Sequence, residues 1–347
     1  MTQPSEIRTK IQPPMAENLS VKAKFLEELI PIAENLSKLP DTLISLLPYR
    51  TEAAEKISQH VFAAGGKRVR PALFMLCCRL TGYKGEHLLP VASVAEYVHT
   101  ASLLHDDVVD QSDLRRGSPT ANAKWGNQAS VLVGDLIYAT ACEIMAKTGK
   151  VELVRTFAEA IRRMSDGELL QMENSFNSNA TVDDYIEILE GKTGVLIGAS
   201  CAAAGILSEV SIEKTQALFN FGNKLGIAFQ LIDDALDYST KNAEVGKPTL
   251  ADIVEGKLTY PVLQLRHHAT DQELSDLLKI IKTKAISKES ADWISTLVRK
   301  YHTDELTIQK AANYTESALN DLKSNFPATQ ERHRIERIAK LLLERNS

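Results

Sequence analysis

The sequence predicts an all-α protein, a single bundle of helices. Apolar residues recur at spacings of three and four along most of the chain, which is the period of an amphipathic helix. Few segments alternate apolar and polar residues in the period of two that strands show. Several helical segments are apolar nearly all round, which favours positions at the centre of a bundle.

The elements follow in order from the amino terminus. Residues 1–18 are polar and contain prolines, so we expect a flexible arm. No low-complexity linker divides residues 19–347, which predicts one helical domain. Breaks are expected at Gly65-Gly66, at Pro71 as a first helical residue, at Gly117 with Pro119 and at Gly246 with Pro248. The predicted helices cover residues 21–38, 51–63, 71–80, 86–110, 129–147, 151–175, 182–207, 211–238, 257–267, 271–282, 288–300, 304–323 and 328–345.

Composition and charge limit the possible functions. Apolar residues make up 44% of the chain and charged residues 24%, as in soluble globular proteins. The net charge of −5 argues against nucleic acid as the main partner. No stretch approaches the roughly 20 apolar residues of a membrane span, and the N-terminus has no apolar signal-peptide core, so we expect a cytoplasmic enzyme. The four cysteines are expected to be buried in a reducing compartment: Cys77, Cys78, Cys142 and Cys201.

A five-residue aspartate pattern occurs twice, as Asp106-Asp107-Val108-Val109-Asp110 and Asp233-Asp234-Ala235-Leu236-Asp237. On a helix, residues four apart share a face, so the first and last aspartates of each copy lie together. Burying like charges so close is costly unless cations neutralise them. Mg²⁺ usually binds through one or two carboxylates plus substrate phosphates. The two copies therefore predict a clamp that holds a diphosphate through several metal ions.

An ordinary surface helix is the alternative interpretation of each copy. A single pattern of this kind is common on a solvated helix face. Both copies, however, follow apolar runs, and neither has the Lys or Arg four residues later that a surface ion-pair helix would use. The pair therefore favours a functional site.

A glycine-led basic turn, Gly65-Gly66-Lys67-Arg68-Val69-Arg70-Pro71, precedes a predicted helix. Glycines allow the backbone to approach an anion, and cations with helix N-terminal amides bind phosphate. The spacing is not that of a P-loop. An ordinary basic loop is the alternative interpretation, so the turn indicates a phosphate-binding site only in combination with the two aspartate repeats.

Further cations and one histidine lie near the repeats. Arg115 and Arg116 follow the first copy, where they could hold two different anions because neighbours on a chain point apart. They could equally be the cations of a helix C-terminus closed by Gly117. His99 precedes Asp106 by about two turns, although a lone helical histidine is usually structural. Three lysines stand beside glycines near the second copy: Lys192, Lys247 and Lys257.

Taken together, these motifs resemble the trans-prenyl diphosphate synthases of the polyprenyl synthetase family, from about residue 50 to residue 265 and more loosely to the end. Within the family, Asp113-Leu114-Arg115-Arg116-Gly117 and Gly134-Asp135-Leu136-Ile137-Tyr138 look most similar to bacterial octaprenyl-type synthases. The run Lys247-Pro248-Thr249-Leu250-Ala251-Asp252 departs from the family, in which a glycine commonly precedes the aspartate. The elements that carry the likeness are Gly66-Lys67-Arg68-x-Arg70-Pro71, Leu103-Leu104-His105-Asp106-Asp107-Val108-Val109-Asp110 and Gly226-x-x-Phe229-Gln230-x-x-Asp233-Asp234-x-x-Asp237.

The resemblance implies a fold and a set of roles. The fold would be an isoprenoid-synthase-type bundle around an elongated central cavity. Two or three Mg²⁺ would be held by Asp106, Asp110 and Asp233, with Asp107, Asp234 and Asp237 as further ligands or as supports of the ligands. Arg115, Lys192, Lys247 and Lys257 would stabilise the leaving diphosphate of an allylic substrate. Isopentenyl diphosphate would be bound by Lys67, Arg70, His99 and Arg116, and Thr193 and Gln230 would face the allylic cation.

The resemblance also implies a product and an assembly. Farnesyl diphosphate is the expected starter, and a long all-trans product of about eight isoprene units for a quinone side chain is expected. Small residues before the first repeat, Ala101 and Ser102, would leave the product tunnel open. Met145 and Phe157 are expected to form its floor because they are bulky and lie on the next helices. A homodimer is expected, with helices such as 129–147 at the interface. The apolar product is expected to draw the protein to a membrane surface.

Other functions fit the residues less well. A medium- or short-chain synthase, or a non-catalytic subunit of a heteromeric synthase, is the nearest alternative, although such a subunit would show degraded aspartates. A class I terpene cyclase needs neither a second repeat nor the basic turn. A head-to-head synthase of the squalene type would show different carboxylate motifs, and a plain helical scaffold would leave the buried charges unexplained.

Overall fold

The computed structural model describes residues 20–63, 65–115, 117–238 and 250–344, with the side chains of Lys22 and Ala251 left out. The first half of this part contains α1 Val21–Leu29, a 3₁₀ turn Ile30–Ile32, α2 Ala33–Ser45, α3 Glu52–Ala63, α4 Val69–Thr81, α5 Leu88–Val109, β1 Leu114–Arg115, β2 Ser118–Pro119, α6 Ala121–Trp125, α7 Asn127–Lys147 and α8 Val151–Asn174. The second half contains α9 Val182–Leu189, a π-helical turn Glu190–Gly194, α10 Val195–Leu207, α11 Ile212–Asp237, α12 Ala251–Val254, α13 Tyr260–His268, α14 Asp271–Lys282, α15 Lys288–Lys300, α16 Thr303–Asn325 and α17 Gln330–Glu344.

The central helix of the bundle is α10, which is buried on nearly every side. It packs against α4, α8 and α11. Glycines permit the closest contact, because a Cβ added at Gly222 of α11 would lie 2.6 Å from the carbonyl oxygen of Ile197. This contact fixes α11, which carries the second aspartate repeat, against the central helix, while α5, which carries the first, packs against α4 and α7.

Two groups of buried apolar residues make up the core. Helices α11 and α16 contribute to both groups: Phe221 and Leu322 belong to one, and Leu231 and Ala311 to the other. The two groups are thus joined along the same helices. The expectation that residues 1–18 form an arm concerns residues outside the described part, and the single-domain boundary stays a prediction.

The structure corrects the sequence analysis near the first repeat. Helix α5 ends at Val109, and Arg115 lies in a two-stranded antiparallel hairpin in which Leu114 pairs with Pro119. The interpretation of Arg115 as a helix C-terminal cation is therefore wrong. Gly117, with φ of +78°, lies in the turn of this hairpin rather than at a helix end. Glycine suits that conformation because it has no Cβ.

Three further expectations also change. Pro71 is the third residue of α4, which begins at Val69, although it still lies in the first turn, where its missing N–H costs nothing. Cys142 is exposed on α7, whereas the other three cysteines are buried as expected. Among the described residues, α7 is the one helix long and apolar enough to span a membrane, which no segment was expected to be. Length and composition alone are weak evidence for a membrane span, because core helices of globular proteins meet the same criterion; 44% of this stretch is buried.

Candidate active site

The first aspartate repeat lines a cavity of about 840 Å³ between α4, α5, α10 and α11. Asp106 and Asp110 share the face of α5 that lines it. Burial raises the pKa of Asp106 to about 6, and the nearby carboxylate of Glu168 adds to the rise. Burial also raises the pKa of Asp110. Nearby cations lower both pKa values without outweighing burial, so a bound metal ion would further stabilise the charged form of both carboxylates.

Asp107 has a different environment from its neighbour. It is only 4% exposed, and its Oδ1 accepts hydrogen bonds from Nε of Arg115 at 2.9 Å and NH2 of Arg115 at 2.7 Å. Position 107 is turned about 100° round the helix from Asp106. Asp107 therefore fixes Arg115 at the rim of the cavity and is itself already paired.

The second repeat approaches the same cavity from α11. Asp233 lines it together with Asp106 and Asp110 of the first repeat. Asp234 is 4% exposed, and burial, followed by the charge of Asp252, raises its pKa to about 7, although its hydrogen bonds with Tyr185 and Gln230 oppose the rise. Burial and then the charge of Asp252 raise the pKa of Asp237 to about 6. Asp237 is the last residue of α11.

Lys192 and Thr193 reach the cavity from a π-helical turn, Glu190–Gly194. Such turns occur often at functional sites, because the extra residue redirects side chains. The turn is pressed between two helices: a Cβ added at Gly191 would lie 3.0 Å from Cα of Gly167, and one added at Gly226 would lie 2.8 Å from Cα of Gly194. A side chain at these glycines would displace the turn.

The Lys192 ammonium is held by two side chains of α8. It lies 2.6 Å from a carboxylate oxygen of Glu168 and donates to Oε1 of Gln171 at 2.9 Å. Its positive charge lowers the pKa of Asp106, against the larger effect of burial. A cation therefore lies within electrostatic reach of the first repeat.

The basic turn also lines the large cavity. Arg68 adopts a left-handed conformation with φ of 49° and forms an ion pair with the buried Glu96. Arg70 lines the cavity, and its Nε is buried without a hydrogen-bond partner among the described residues. Burial lowers the pKa of Arg70, and the charge of Glu96 opposes this. Lys67 and His99 line the same cavity. A partly unsatisfied buried guanidinium suits an incoming anion.

A smaller cavity of about 230 Å³ adjoins the large one and shares Lys192, Thr193 and Gln230 with it. Tyr185, Asp234, Asp252 and Lys257 line the smaller cavity. The Lys257 ammonium lies 2.6 Å from Glu255 and 3.9 Å from Asp252. Burial lowers the pKa of Lys257, but the hydrogen bond with Glu255 and nearby carboxylates outweigh burial, so that the net shift is upward.

Most predicted site residues converge on the large cavity, while a few do not. Arg116 and Lys247 lie outside the described residues. Lys257 and Asp234 line the smaller cavity. Ala101, Met145 and Phe157 are fully buried in the core and do not line either cavity, so their effect on product length stays a prediction. The large cavity brings together Lys67, Arg70, His99, Ser102, Asp106, Asp107, Asp110, Arg115, Lys192, Thr193, Gln230 and Asp233.

Several polar residues of the site, Glu96 among them, were not predicted. Glu168 and Gln171, one turn apart on α8, could have been found as polar residues after Gly167 that share a helix face. Asp252 stands in a run that the sequence analysis quoted, but it received no role there. Tyr185 gives no local signal, because a tyrosine in an amphipathic helix is usually a core residue.

The donor set fits Mg²⁺ better than a metal held by protein alone. Among the described residues, no three His, Cys, Asp or Glu side chains are grouped so that they could hold one ion. Mg²⁺ commonly takes one or two carboxylates and completes its octahedron with water and substrate phosphates. Asp106, Asp110 and Asp233 have oxygen donors on one cavity and nearby phosphate-binding cations, so they fit that pattern.

Comparisons with known proteins agree with this arrangement. Residues 51–298 match the family model of polyprenyl synthetase. The octaprenyl diphosphate synthase of Escherichia coli is 38% identical over 241 residues, which cover 70% of this chain and 75% of the relative. The crystal structure of a decaprenyl diphosphate synthase from Rhodobacter capsulatus has a TM-score of 0.87 at 34% identity and covers 93% of this chain and 99% of that one.

A second solved structure bears on the metal. A polyprenyl synthase from Caulobacter crescentus, complexed with calcium and isoprenyl diphosphate, has a TM-score of 0.85 at 32% identity and covers 96% of this chain and 100% of that one. The likeness to these two solved structures confirms the predicted all-α class and the isoprenoid-synthase-type bundle.

Proposed function

The chain belongs to the polyprenyl synthetase family and is a trans-prenyltransferase of isoprenoid biosynthesis, and we propose that it uses Mg²⁺ to add isopentenyl diphosphate repeatedly to an allylic diphosphate. The allylic starter is farnesyl diphosphate, and the product is a long all-trans polyprenyl diphosphate of about eight units that serves as a quinone side chain. The enzyme works in the cytoplasm.

One observation carries this proposal: aspartates of both repeats, from different helices, and cations of the basic turn line one cavity. Asp106, Asp110 and Asp233 supply anionic oxygens to it. Lys67 and Arg70 supply cations to the same cavity. A cavity lined by both kinds of group suits two different diphosphates, one held through metal ions and one held directly.

The residues divide the work between the two substrates. Asp106, Asp110 and Asp233 hold Mg²⁺, which when bound neutralises the charge that develops on the leaving diphosphate. Arg115 and Lys192 add fixed positive charge at the same group. Lys67, Arg70 and His99 hold the diphosphate of isopentenyl diphosphate. Lys257, in the adjoining cavity, completes the positive field around the leaving group, and Arg116 and Lys247 are assigned roles from the sequence alone.

The chemistry needs no dedicated protein base. The bond between the allylic carbon and its diphosphate oxygen breaks, and the double bond of isopentenyl diphosphate supplies the electron pair of the new carbon–carbon bond. A proton then leaves the isopentenyl unit for the departed diphosphate, which lies beside it. Thr193 and Gln230 stabilise the allylic cation through their oxygen dipoles. The cavity walls Phe229 and Ile197 exclude water, which would otherwise capture the cation.

The relatives differ in product length, since the Escherichia coli protein is named an octaprenyl synthase and the Rhodobacter protein a decaprenyl synthase. Ser102, a small residue in the cavity lining one turn before Asp106, leaves room for a growing chain. A long product is therefore favoured over a medium or short one.

The active form is a homodimer that uses the apolar face of α7. Val131 and Leu132 are 37% and 66% exposed on this helix. Burying such side chains between identical subunits would remove apolar surface from water, at about 25 cal/mol per Å². Sedimentation of the purified protein measures its mass, and a monomer at micromolar concentration would contradict the homodimer.

The proposed activity is tested by mixing the purified protein with Mg²⁺, farnesyl diphosphate and isopentenyl diphosphate. Release of one diphosphate per isopentenyl unit consumed, together with a long-chain product on chromatography, supports the proposal. Diphosphate release without use of isopentenyl diphosphate would indicate a cyclase. If the pure protein releases no diphosphate under these conditions, it is a non-catalytic subunit of a heteromeric synthase.

A further inference from the structure

We infer that Tyr185 and Asp234 are positioning residues: they form a hydrogen-bonded chain that turns the carbonyl oxygen of Gln230 towards the allylic cation. The inference rests on the proposed function. The hydroxyl of Tyr185 donates to Oδ2 of Asp234 at 2.5 Å. Nε2 of Gln230 donates to Oδ1 of the same carboxylate at 2.8 Å. Both oxygens of Asp234 are thus engaged, one by each neighbour.

The orientation of the Gln230 amide matters because its two ends have opposite polarity. The oxygen carries partial negative charge and would stabilise a cation, whereas the NH2 group would destabilise it. Gln230 lines both cavities, so either end could be presented to substrate. A carboxylate only accepts hydrogen bonds, so Asp234 takes the NH2 group and leaves the oxygen for the large cavity.

Tyr185 is needed because Gln230 and Asp234 lie one turn apart on the same helix. The pair alone would be free to rotate together. Tyr185 comes from α9, bonds to the carboxylate oxygen of Asp234 that Gln230 does not use, and is only 6% exposed. Its hydroxyl is protonated at neutral pH and donates the bond that fixes the carboxylate from a second element. Of the two cavities, Tyr185 lines the smaller one, so it acts through Asp234 and not on the substrate.

The first repeat has the same arrangement. Asp107, its second aspartate, is buried and holds Arg115, a side chain that lines the large cavity. Asp234, the second aspartate of the other repeat, is buried and holds Gln230. In each repeat the second position is turned about 100° from the aspartate before it. The first aspartates, Asp106 and Asp233, line the large cavity, and the second aspartates each orient a neighbour that also lines it.

The test compares Tyr185→Phe with Tyr97→Phe as a matched control. Tyr97 is a fully buried tyrosine whose hydroxyl donates to the carbonyl of Leu43 at 2.6 Å, far from Gln230 in sequence and outside both cavity linings. Each variant loses one buried hydroxyl and its hydrogen bond. Both are measured at about pH 8 with saturating Mg²⁺, farnesyl diphosphate and isopentenyl diphosphate, and the melting temperature of each is recorded.

We expect Tyr185→Phe to lower kcat roughly tenfold, since the loss of a whole preorganised dipole costs about 100-fold and the amide is here only released. KM should change little, because the dipole acts on the cation and not on the bound substrate. Tyr97→Phe should keep the parent kcat at a comparable loss of melting temperature. Equal kcat values in the two variants would overturn the inference.

A double-mutant cycle with Gln230→Ala separates positioning from a merely structural role. If Tyr185 acts through Gln230, adding Tyr185→Phe to Gln230→Ala should lower kcat no further. Independent, multiplicative losses would overturn the inference. A parent protein that makes no prenyl product would instead refute the proposed function, so the two failures are distinguishable.

Discussion

Replacing Asp106 and Asp107 one at a time by asparagine should produce two different kinetic defects from adjacent residues. Asp106 lines the large cavity as a metal ligand, whereas Asp107 is buried and paired with Arg115. Asparagine nearly preserves the shape of aspartate and removes its charge. Any difference between the variants therefore reports the role of the carboxylate charge at each position.

The size of the Asp107→Asn effect follows from its contacts. Two charge-assisted bonds, at 2.9 and 2.7 Å, hold Arg115. Such bonds are roughly twice as strong as neutral ones, and asparagine still offers one carbonyl oxygen. Because Arg115 is 39% exposed, solvent screens part of the difference. A loss of about 1–2 kcal/mol remains, which corresponds to roughly 5- to 30-fold in KM for the allylic substrate.

Asp106→Asn should act on the chemical step instead. Loss of a metal ligand removes charge stabilisation of the leaving group, so kcat should fall by roughly 100-fold or more. The assay is the initial rate with varied Mg²⁺ and varied farnesyl diphosphate. Asp106→Asn should raise the Mg²⁺ concentration needed for half-maximal rate, and Asp107→Asn should not. The reasoning is refuted if Asp107→Asn shifts the Mg²⁺ dependence as much as Asp106→Asn does.

Three further outcomes are expected. The pKa of Asp106 is raised from about 4 to about 6, so the folded protein binds the proton more tightly than the unfolded chain, and stability should fall as pH rises from about 4 to about 6. The metal-free melting temperature should therefore drop more steeply over this range than that of Asp106→Asn, and equal slopes would contradict this. Glu168→Gln removes a negative charge that raises the pKa of Asp106, and it frees Lys192 from an ion pair. The acid limb of the pH–rate profile should therefore move to lower pH. An unmoved limb would contradict the assignment of this limb to Asp106. Ser102→Phe should shorten the product on chromatography while diphosphate release continues, because Ser102 lines the large cavity. Ala101→Phe, at a fully buried site outside the cavity lining, should mainly lower the free energy of unfolding, by about 1–3 kcal/mol. A long product from Ser102→Phe would exclude Ser102 as the determinant of product length.

Much of the fold follows from periodicity alone, because most helices bury one apolar face and so carry a period that can be read directly. The break in the segment predicted as one helix over 182–207 could not be read in this way. Gly191-Lys192-Thr193-Gly194 contains no proline, and the π-helical turn there is pressed between Gly167 and Gly226 of neighbouring helices. These contacts are tertiary, so they leave no local signal.

Site residues could be predicted where a charged residue interrupts an apolar helical segment. They could not be predicted where the hydrogen-bond partner of a side chain depends on the packing of distant helices. Asp106 and Asp233 could be identified because a buried carboxylate needs a cation. That Asp107 and Asp234 are instead engaged by Arg115 and Tyr185 depends on which way each side chain leaves its helix and on what lies opposite. For Tyr185, the partner is 49 residues away in the chain.

Counting bound metal ions with and without substrate tests most directly the claim that the two repeats form one clamp completed by a diphosphate. Equilibrium dialysis with Mn²⁺ as the probe, in the presence and absence of a thiolo analogue of farnesyl diphosphate that is not turned over, gives the number of ions per chain. Two or three tightly bound ions are predicted only with the analogue, and fewer in Asp233→Asn, because among the described residues no three carboxylates, histidines or cysteines form a complete site. The same number of tightly bound ions without the analogue, or an unchanged number in Asp233→Asn with it, would contradict the account.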